Sequence, residues 1–111
     1  MAAILVTITT RSAQEAETIG LAAVVRRLAA SAQIEPIAKT IYRWKGSVEE
    51  HEEHRLTLFT RPERWDALVS LVVEMHSYEL PQVVASPIVL GSAAFLAWIE
   101  ENSSEAEAPI G

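Results

Sequence analysis

Carboxylate and imidazole side chains alternate over residues 49–54, a pattern that could bind a divalent cation. If this stretch is a β-strand, one of its faces carries Glu49, His51 and Glu53. Neighbouring carboxylates repel each other, and a cation placed between them relieves that repulsion. Carboxylate with imidazole suits Zn²⁺, Cu²⁺ or Ni²⁺ better than Cu⁺, which prefers sulfur. The alternative is a solvated acidic surface that nearby Lys and Arg side chains neutralise.

A second group of titratable side chains lies at residues 76–81. His76, Tyr78 and Glu79 bring together an imidazole, a phenol and a carboxylate, which could hold a divalent ion or a small ligand. We therefore add His76 and Glu79 to the three candidate metal ligands above. The alternative is that these residues only cap the preceding helix and satisfy the backbone of a turn.

Two aromatic residues, Tyr42 and Trp44, fall on one face of a long predicted strand. Exposed on a monomer, they would form a costly apolar patch, and aromatic residues are enriched in the cores of protein interfaces. We predict that they anchor a subunit interface, together with Arg43 and Tyr78.

The elements that would position these groups follow a simple order. The predicted elements are a buried strand at 3–9, a helix from Ser12, strands at 33–44 and 48–60, a helix after Thr60, a strand at 82–90 and a helix from Ser92. Two capping boxes, Ser12 with Glu15 and Thr60 with Glu63, mark the first two helix starts. The order βαββαβ with a C-terminal helix predicts an α+β, ferredoxin-like fold, in which helices cover one face of an antiparallel sheet.

The helix faces predict which residues enter the core. In the first helix, one stripe has small members that let the helix lie close to a sheet, and it consists of Ala16, Ile19, Gly20, Ala23 and Val24. We also assign the later tryptophans, at 65 and 98, to the core. Residues 1–101 then form one domain, and the polar stretch 102–111 is predicted to be a disordered tail.

The two middle strands predict a hairpin that is too long for its own subunit. Even-numbered residues from Ile34 to Trp44 share one face in an imperfect period-two pattern, and Lys45-Gly46 supplies the turn. About 12 residues at roughly 3.3 Å each reach about 40 Å. A chain of this length has a radius of gyration of about 13 Å. We therefore expect the hairpin to extend beyond the rest of the subunit.

Composition excludes several classes of function. The chain has 111 residues, a net charge of −6 and no cysteine, so a nucleic-acid partner is not expected and no thiol chemistry is available. The sequence has no secretory signal and no apolar run of membrane-spanning length, which predicts a cytoplasmic protein without a membrane partner. Motifs of hydrolases, nucleotide-binding enzymes and zinc proteases are absent, so we do not expect an enzyme.

The two motifs Tyr42-Arg43-Trp44-Lys45-Gly46 and His76-Ser77-Tyr78-Glu79-Leu80-Pro81 resemble the signature blocks of the CutA divalent-cation tolerance family. The resemblance covers about residues 3–101. It implies a homotrimer of ferredoxin-like subunits that binds divalent metal ions, such as copper or zinc, or a small ligand at clefts between subunits. The alternative is a PII-like trimeric signalling or interaction scaffold without a metal role. Four residues differ from those common in the family: Ser31, His51, Phe59 and Ser77.

Overall fold

The computed structural model describes residues 2–105, and it shows one four-stranded antiparallel sheet with three helices. The elements are β1 (Ile4–Thr10), α1 (Ala13–Val25), β2 (Ser31–Trp44), β3 (Ser47–Thr60), α2 (Trp65–Met75), β4 (Val83–Pro87) and α3 (Ala93–Asn102). The strand order is β2-β3-β1-β4, and every neighbouring pair is antiparallel. This order confirms the predicted ferredoxin-like fold.

The core lies between the sheet and the two helices α1 and α2. Its fully buried members include Val6 and Ile8 of β1, Leu56 and Leu58 of β3, and Leu68 of α2. Alternate residues of the two neighbouring strands point to this face because the side-chain period of a strand is two. Burial of each such aliphatic side chain contributes about 2 kcal/mol.

Helix α1 begins at the predicted cap and lies close to the sheet. The Ser12 hydroxyl accepts a hydrogen bond from the Glu15 N–H at 3.1 Å. Four residues of the predicted stripe are buried, and the fifth, Val24, is half-buried. A Cβ on Gly20 would meet Leu56 and the Ala32 Cβ at 3.1 Å. That distance is tighter than ordinary van der Waals contact. Glycine at position 20 therefore permits the close approach of helix and sheet.

A tight turn at Lys45-Gly46 connects β2 and β3. Both residues have positive φ angles, 48° and 84°, and Trp44 pairs with Ser47 across the turn. Two-residue turns of this kind match the right-handed twist of the strands they connect. The described residues extend over 55 × 29 × 21 Å, and their radius of gyration is 15.0 Å, against about 13 Å for a compact chain of this length. The hairpin therefore makes the subunit elongated, as predicted.

The prediction that all even-numbered residues of β2 share a face is wrong. Ile37 pairs with Glu53 and Thr40 pairs with His51, so two residues of β2, Ala38 and Lys39, lie opposite one residue of β3. Such a β-bulge shifts the alternation by one residue. Before the bulge, odd-numbered side chains of β2 share a face with the odd-numbered side chains of β3. After it, Thr40, Tyr42 and Trp44 take that face.

The second predicted capping box does not form. The Thr60 hydroxyl donates instead to the Leu28 carbonyl at 2.6 Å. The chain enters α2 through a short 3-10 turn, Pro62–Arg64, which has no side-chain cap, and Glu63 pairs with Arg61 at 3.1 Å. Thr60 is fully buried, so its hydroxyl needs a partner there, and the nearby carbonyl provides it.

The C-terminal helix covers one end of the other sheet face. Ser92 caps it as predicted, accepting from the Phe95 N–H at 3.3 Å. Phe95 contacts Phe59 of β3 edge-on and stacks on Trp98. Trp98 is 42% exposed, so the prediction that Trp98 belongs to the core is wrong. None of the helices in residues 2–105 is long and apolar enough to cross a membrane.

The predicted tail begins too early. Asn102 belongs to α3, and Ser103 is fully buried, with its hydroxyl donating to the Ile99 carbonyl at 2.6 Å. Arg64 donates to the Ser103 carbonyl at 2.7 Å, and Arg27 donates to the Ser104 carbonyl at 3.2 Å. Residues 106–111 of the predicted tail lie outside the described residues.

Candidate binding cleft

An open cleft of about 580 Å³ lies on the sheet face opposite α1 and α2, beside the hairpin. Its floor comes from β2 and β3 beyond the bulge, and one wall is the loop between α2 and β4. The lining residues are Thr9, Arg11, Thr40, Tyr42, Trp44, Glu49, His51, Glu52, Glu53, Ser77, Tyr78, Glu79, Leu80 and Gln82. The cleft therefore unites the two motifs that the sequence singled out.

Glu53 and Tyr78 form the deepest polar contact of the cleft. The Tyr78 hydroxyl donates to Glu53 Oε2 at 2.9 Å, and the Glu53 residue is only 4% exposed. Burial, together with the hydrogen bond to Glu53 and the charge of that carboxylate, raises the pKa of Tyr78 well above its ordinary value. The phenol therefore stays protonated at neutral pH and can keep donating to Glu53.

The His76 ring supports the loop from below the cleft. Its Nε2 lies 2.7 Å from the Thr9 carbonyl, and its Nδ1 lies 3.0 Å from the Tyr78 backbone nitrogen. A carbonyl can only accept and an N–H can only donate, so Nε2 carries the proton and Nδ1 accepts. Both ring nitrogens are engaged, and His76 is not among the lining residues of the cleft.

Glu15 ties the same loop to the start of α1. Its Oε2 accepts from the Ser77 N–H at 2.9 Å, and its Oε1 accepts from the Arg11 N–H at 3.2 Å. Burial raises the pKa of this carboxyl, but hydrogen bonds from Ser77 and Arg11 outweigh that effect, so the pKa lies below its ordinary value. Glu15 stabilises the loop in its charged form.

Aromatic and acidic side chains share the outer part of the cleft. The rings of Tyr42 and His51 lie 5.7 Å apart, and Tyr42 pairs with Glu49 across the hairpin. At the rim, the Lys45 ammonium lies 5.4 Å from the centre of the Trp44 ring and 3.2 Å from Glu79. The rim thus already holds one ammonium between an aromatic face and a carboxylate.

Comparison with known proteins identifies the family. The family model described as CutA1 divalent ion tolerance protein matches residues 4–102. The chain belongs to this CutA1 family. Its membership supports a role in divalent-cation tolerance.

Three members of the CutA1 family show the extent of the similarity. The divalent-cation tolerance protein CutA of Thermus thermophilus is 40% identical over 98 residues, which cover 88% of this chain and 95% of that protein. The human protein CutA is 35% identical over 86 residues, 78% of this chain, and this chain spans about half of its length (48%). A solved CutA structure from Archaeoglobus fulgidus, described as periplasmic, superposes with a TM-score of 0.89 at 35% identity, covering 92% of this chain and 99% of that one.

The predicted metal ligands of this CutA1 family member do not all meet. Glu49, His51, Glu53 and Glu79 line the cleft, whereas His76 lies beneath the loop. Within the described part of the chain, no three His, Asp or Glu side chains gather as a group that could hold one ion. The ligand role of these five residues stays a prediction, with carboxylates and one imidazole as the donors that a cation in the cleft would meet.

Three of the four predicted interface residues line the cleft, and the fourth does not. Tyr42, Trp44 and Tyr78 are half-buried around the cleft, and Arg43 is exposed on the opposite side of the hairpin. Phe59, one of the residues that differ from the common family pattern, packs under α3 and does not line the cleft.

Sequence reasoning missed several residues that line the cleft and one that supports it. Arg11 and Thr40 belong to no predicted site, Thr9 is an ordinary strand residue near the end of β1, and Gln82 follows the loop without any motif. Glu15 was interpreted only as a helix cap, yet it also holds the Ser77 backbone. The capping pattern at Ser12 was the one available signal, because it placed a carboxylate at the start of α1.

Proposed function

We propose that this CutA1 family member acts in divalent-cation tolerance as a homotrimer that binds divalent metal ions, such as Cu²⁺ or Zn²⁺, or a small ligand in its cleft. The observation that carries the proposal is the convergence of Glu49, His51, Glu53 and Glu79 on one cleft. We propose that it acts by binding, without catalysing a reaction.

Chemistry supports a cation in the cleft. Carboxylates and imidazole suit Zn²⁺ and Cu²⁺, and carboxylates outnumber cationic side chains among the lining residues of the cleft. Since His76 has both ring nitrogens engaged, His51 is the imidazole that an ion would meet. The donors fit a divalent ion in type, and a neighbouring subunit would supply any further ligand.

Exposed apolar groups support self-association. Ile41 and Val48 lie on the back of the protruding hairpin and are each more than half exposed. Val89 and Leu90 are even more exposed at the opposite end of the subunit, after β4. The outer edges of β2 and β4 also have no strand partner within the described residues. Unpaired edges and exposed apolar groups are the features that subunit contacts cover.

Native mass spectrometry with and without stoichiometric Cu²⁺ and Zn²⁺ tests both halves of the proposal. We expect a trimer that takes up ions in multiples of three, and weaker uptake in His51→Ala. His54→Ala is the matched control, because His54 lies on the same strand with its side chain toward the helices. A monomer at micromolar concentration would contradict the assembly. A trimer that binds neither ions nor small ligands would instead favour the PII-like scaffold.

A further inference from the structure

The cleft carries a strong excess of negative charge. Four carboxylates line it, those of Glu49, Glu52, Glu53 and Glu79, against the guanidinium of Arg11 and, at the rim, the Lys45 ammonium that pairs with Glu79. A wall of one sign of charge raises the local concentration of the opposite charge. Anionic ligands, such as phosphates and carboxylates, would be repelled, and cations would be attracted.

Glu53 offers a partly satisfied carboxylate at the deepest point. Within residues 2–105 its hydrogen bond is the one from Tyr78 to Oε2. The residue is 4% exposed, and it lines the cleft. A carboxylate largely removed from water gains most from a positively charged partner.

Aromatic side chains line the same cleft as this carboxylate. Tyr42 and Trp44 line the cleft on the β2 side, and Tyr78 lines it from the loop. Organic cations are attracted to the faces of aromatic rings, and recognition of ammonium groups by aromatic cages depends on this attraction. The Lys45 ammonium between Trp44 and Glu79 is an example of the same chemistry within the chain.

The size of the cleft favours a small molecule. A volume of about 580 Å³ lies within the range of roughly 300–1,000 Å³ that is typical of small-molecule sites. We infer that the ligand of the cleft is a small organic cation carrying an ammonium group, held by the Glu53 carboxylate and the face of Tyr42. This inference rests on the proposed function, in which the cleft is a binding site.

A pair of isosteric probes tests the inference on the full-length, assembled protein. Choline carries a quaternary ammonium, and dimethylbutanol replaces that nitrogen with carbon and so has no charge. We expect choline to shift the NMR signals of the Tyr78 and Glu79 amides in a saturable way. Dimethylbutanol should bind roughly tenfold more weakly or not at all, since it lacks the charge.

Two variants and one control test whether choline binding depends on Glu53 and Tyr42. Glu53→Gln should weaken choline binding by roughly tenfold or more, because it removes the charge and keeps the shape. Tyr42→Leu should also weaken binding and does not depend on the folding of the Glu53 variant. Glu50→Gln is the control: it makes the same change in charge on the same strand, but its side chain pairs with Lys39 away from the cleft, so binding should stay unchanged.

The outcomes separate this inference from the proposed function. Equal binding of choline and dimethylbutanol would overturn the inference, because the charge would then contribute nothing. If Zn²⁺ or a neutral or anionic probe shifts the cleft signals and choline does not, the inference fails and the cleft remains a binding site. If none of these probes shifts them, both fail.

Discussion

The polar groups in and beneath the cleft each form a hydrogen bond with a neighbour, and these hydrogen bonds form one connected network. Tyr78 reaches Glu53 through its hydroxyl and His76 through its backbone N–H, and His76 reaches Thr9 of β1. Glu15 adds the link from the loop to α1. The loop that walls the cleft is therefore held at three points, by the side chains of Glu53 in β3 and Glu15 in α1 and by the backbone carbonyl of Thr9 in β1. Its shape depends on single hydrogen bonds that mutation can remove.

Tyr78→Phe should destabilise the protein by about 1–3 kcal/mol, because it leaves the nearly buried Glu53 carboxylate without its donor. Guanidinium unfolding at one fixed protein concentration measures the change. Because the folded-state pKa of Tyr78 is raised above the ordinary value of 10.0, its contribution to stability is present below about pH 10 and declines above it. A spectroscopic alkaline titration should show a late-titrating tyrosine that the Phe variant lacks. A change in stability below a few tenths of a kcal/mol would contradict the contact.

Glu15→Gln should remove a pH-dependent part of the stability. The folded-state pKa of Glu15 is lowered below its ordinary value of 4.5, so its contribution is present above that pH and is lost as the pH falls through the folded pKa. We expect a loss of about 1 kcal/mol at neutral pH and a smaller difference from the parent protein below pH 4. Glu17→Gln, on the exposed side of the same helix, is the control. Parallel acid profiles of parent and Glu15 variant would contradict this role.

Residue types at the cleft could be predicted from the sequence, but their pairings could not. His76, Tyr78 and Glu79 were singled out because imidazole, phenol and carboxylate occur close together. That Tyr78 would donate to Glu53 depends on the register of a strand 25 residues earlier, which local pattern does not encode. His76 was predicted as a ligand, yet it is engaged by two backbone groups, and those partners become visible only once β1 lies beside the loop.

At the scale of elements, the hairpin is the part of the fold that makes the cleft. Its turn and length followed from Lys45-Gly46 and from the period-two patterns on either side. The bulge at Ala38 and Lys39 did not, because the extra residue carries no side-chain signature and only weakens the periodicity. The predicted cap at Thr60 did not form, because the buried Thr60 hydroxyl donates to the Leu28 carbonyl instead. Local sequence does not show that this carbonyl lies nearby.

Gly46→Ala should weaken the hairpin through backbone strain alone. Gly46 has a φ of 84°, and an added Cβ would meet no atom within 4 Å. An L-residue in this region costs about 1–2 kcal/mol. Lys45→Asn is the comparison, since Asn tolerates the positive φ of the first turn position and should keep the turn intact. Hydrogen exchange of the amides of residues 41–50 should be faster in the Gly46 variant and unchanged in the Lys45 variant. Equal exchange rates in both would refute the turn argument.

At the scale of the molecule, the subunit has an elongated shape with exposed apolar groups at its protruding end. A chain of this length that folded alone would be expected to be more compact than the observed radius of gyration of 15.0 Å. The protruding hairpin cannot bury its own back face, where Ile41 and Val48 lie. Self-association would cover that face and enclose the adjacent cleft, so the proposed trimer and the proposed binding site depend on the same element.

Ile41→Glu should disrupt self-association while leaving each subunit folded. Ile41 is 61% exposed on the hairpin, so a charge there costs an isolated subunit little, but the same charge in a buried interface costs several kcal/mol. Leu21→Glu is the matched control, because Leu21 is 67% exposed on the outer side of α1, away from the hairpin. Light scattering coupled to gel filtration should show a smaller mass for the Ile41 variant only. If both variants kept the parent mass, Ile41 would not lie in the interface.

The two-against-one pairing at Ala38 and Lys39 accommodates one extra residue of chain without moving the cleft residues that follow it. Removing one of these residues would restore strict alternation and leave Tyr42 opposite Glu49 and Trp44 opposite Ser47, so both aromatic side chains would keep the face that lines the cleft. Among related genes, therefore, single-codon deletions at position 38 or 39 should be tolerated about as well as substitutions there. Inheritance of the site requires the pairing of β2 with β3 beyond the bulge, and the extra residue itself is dispensable.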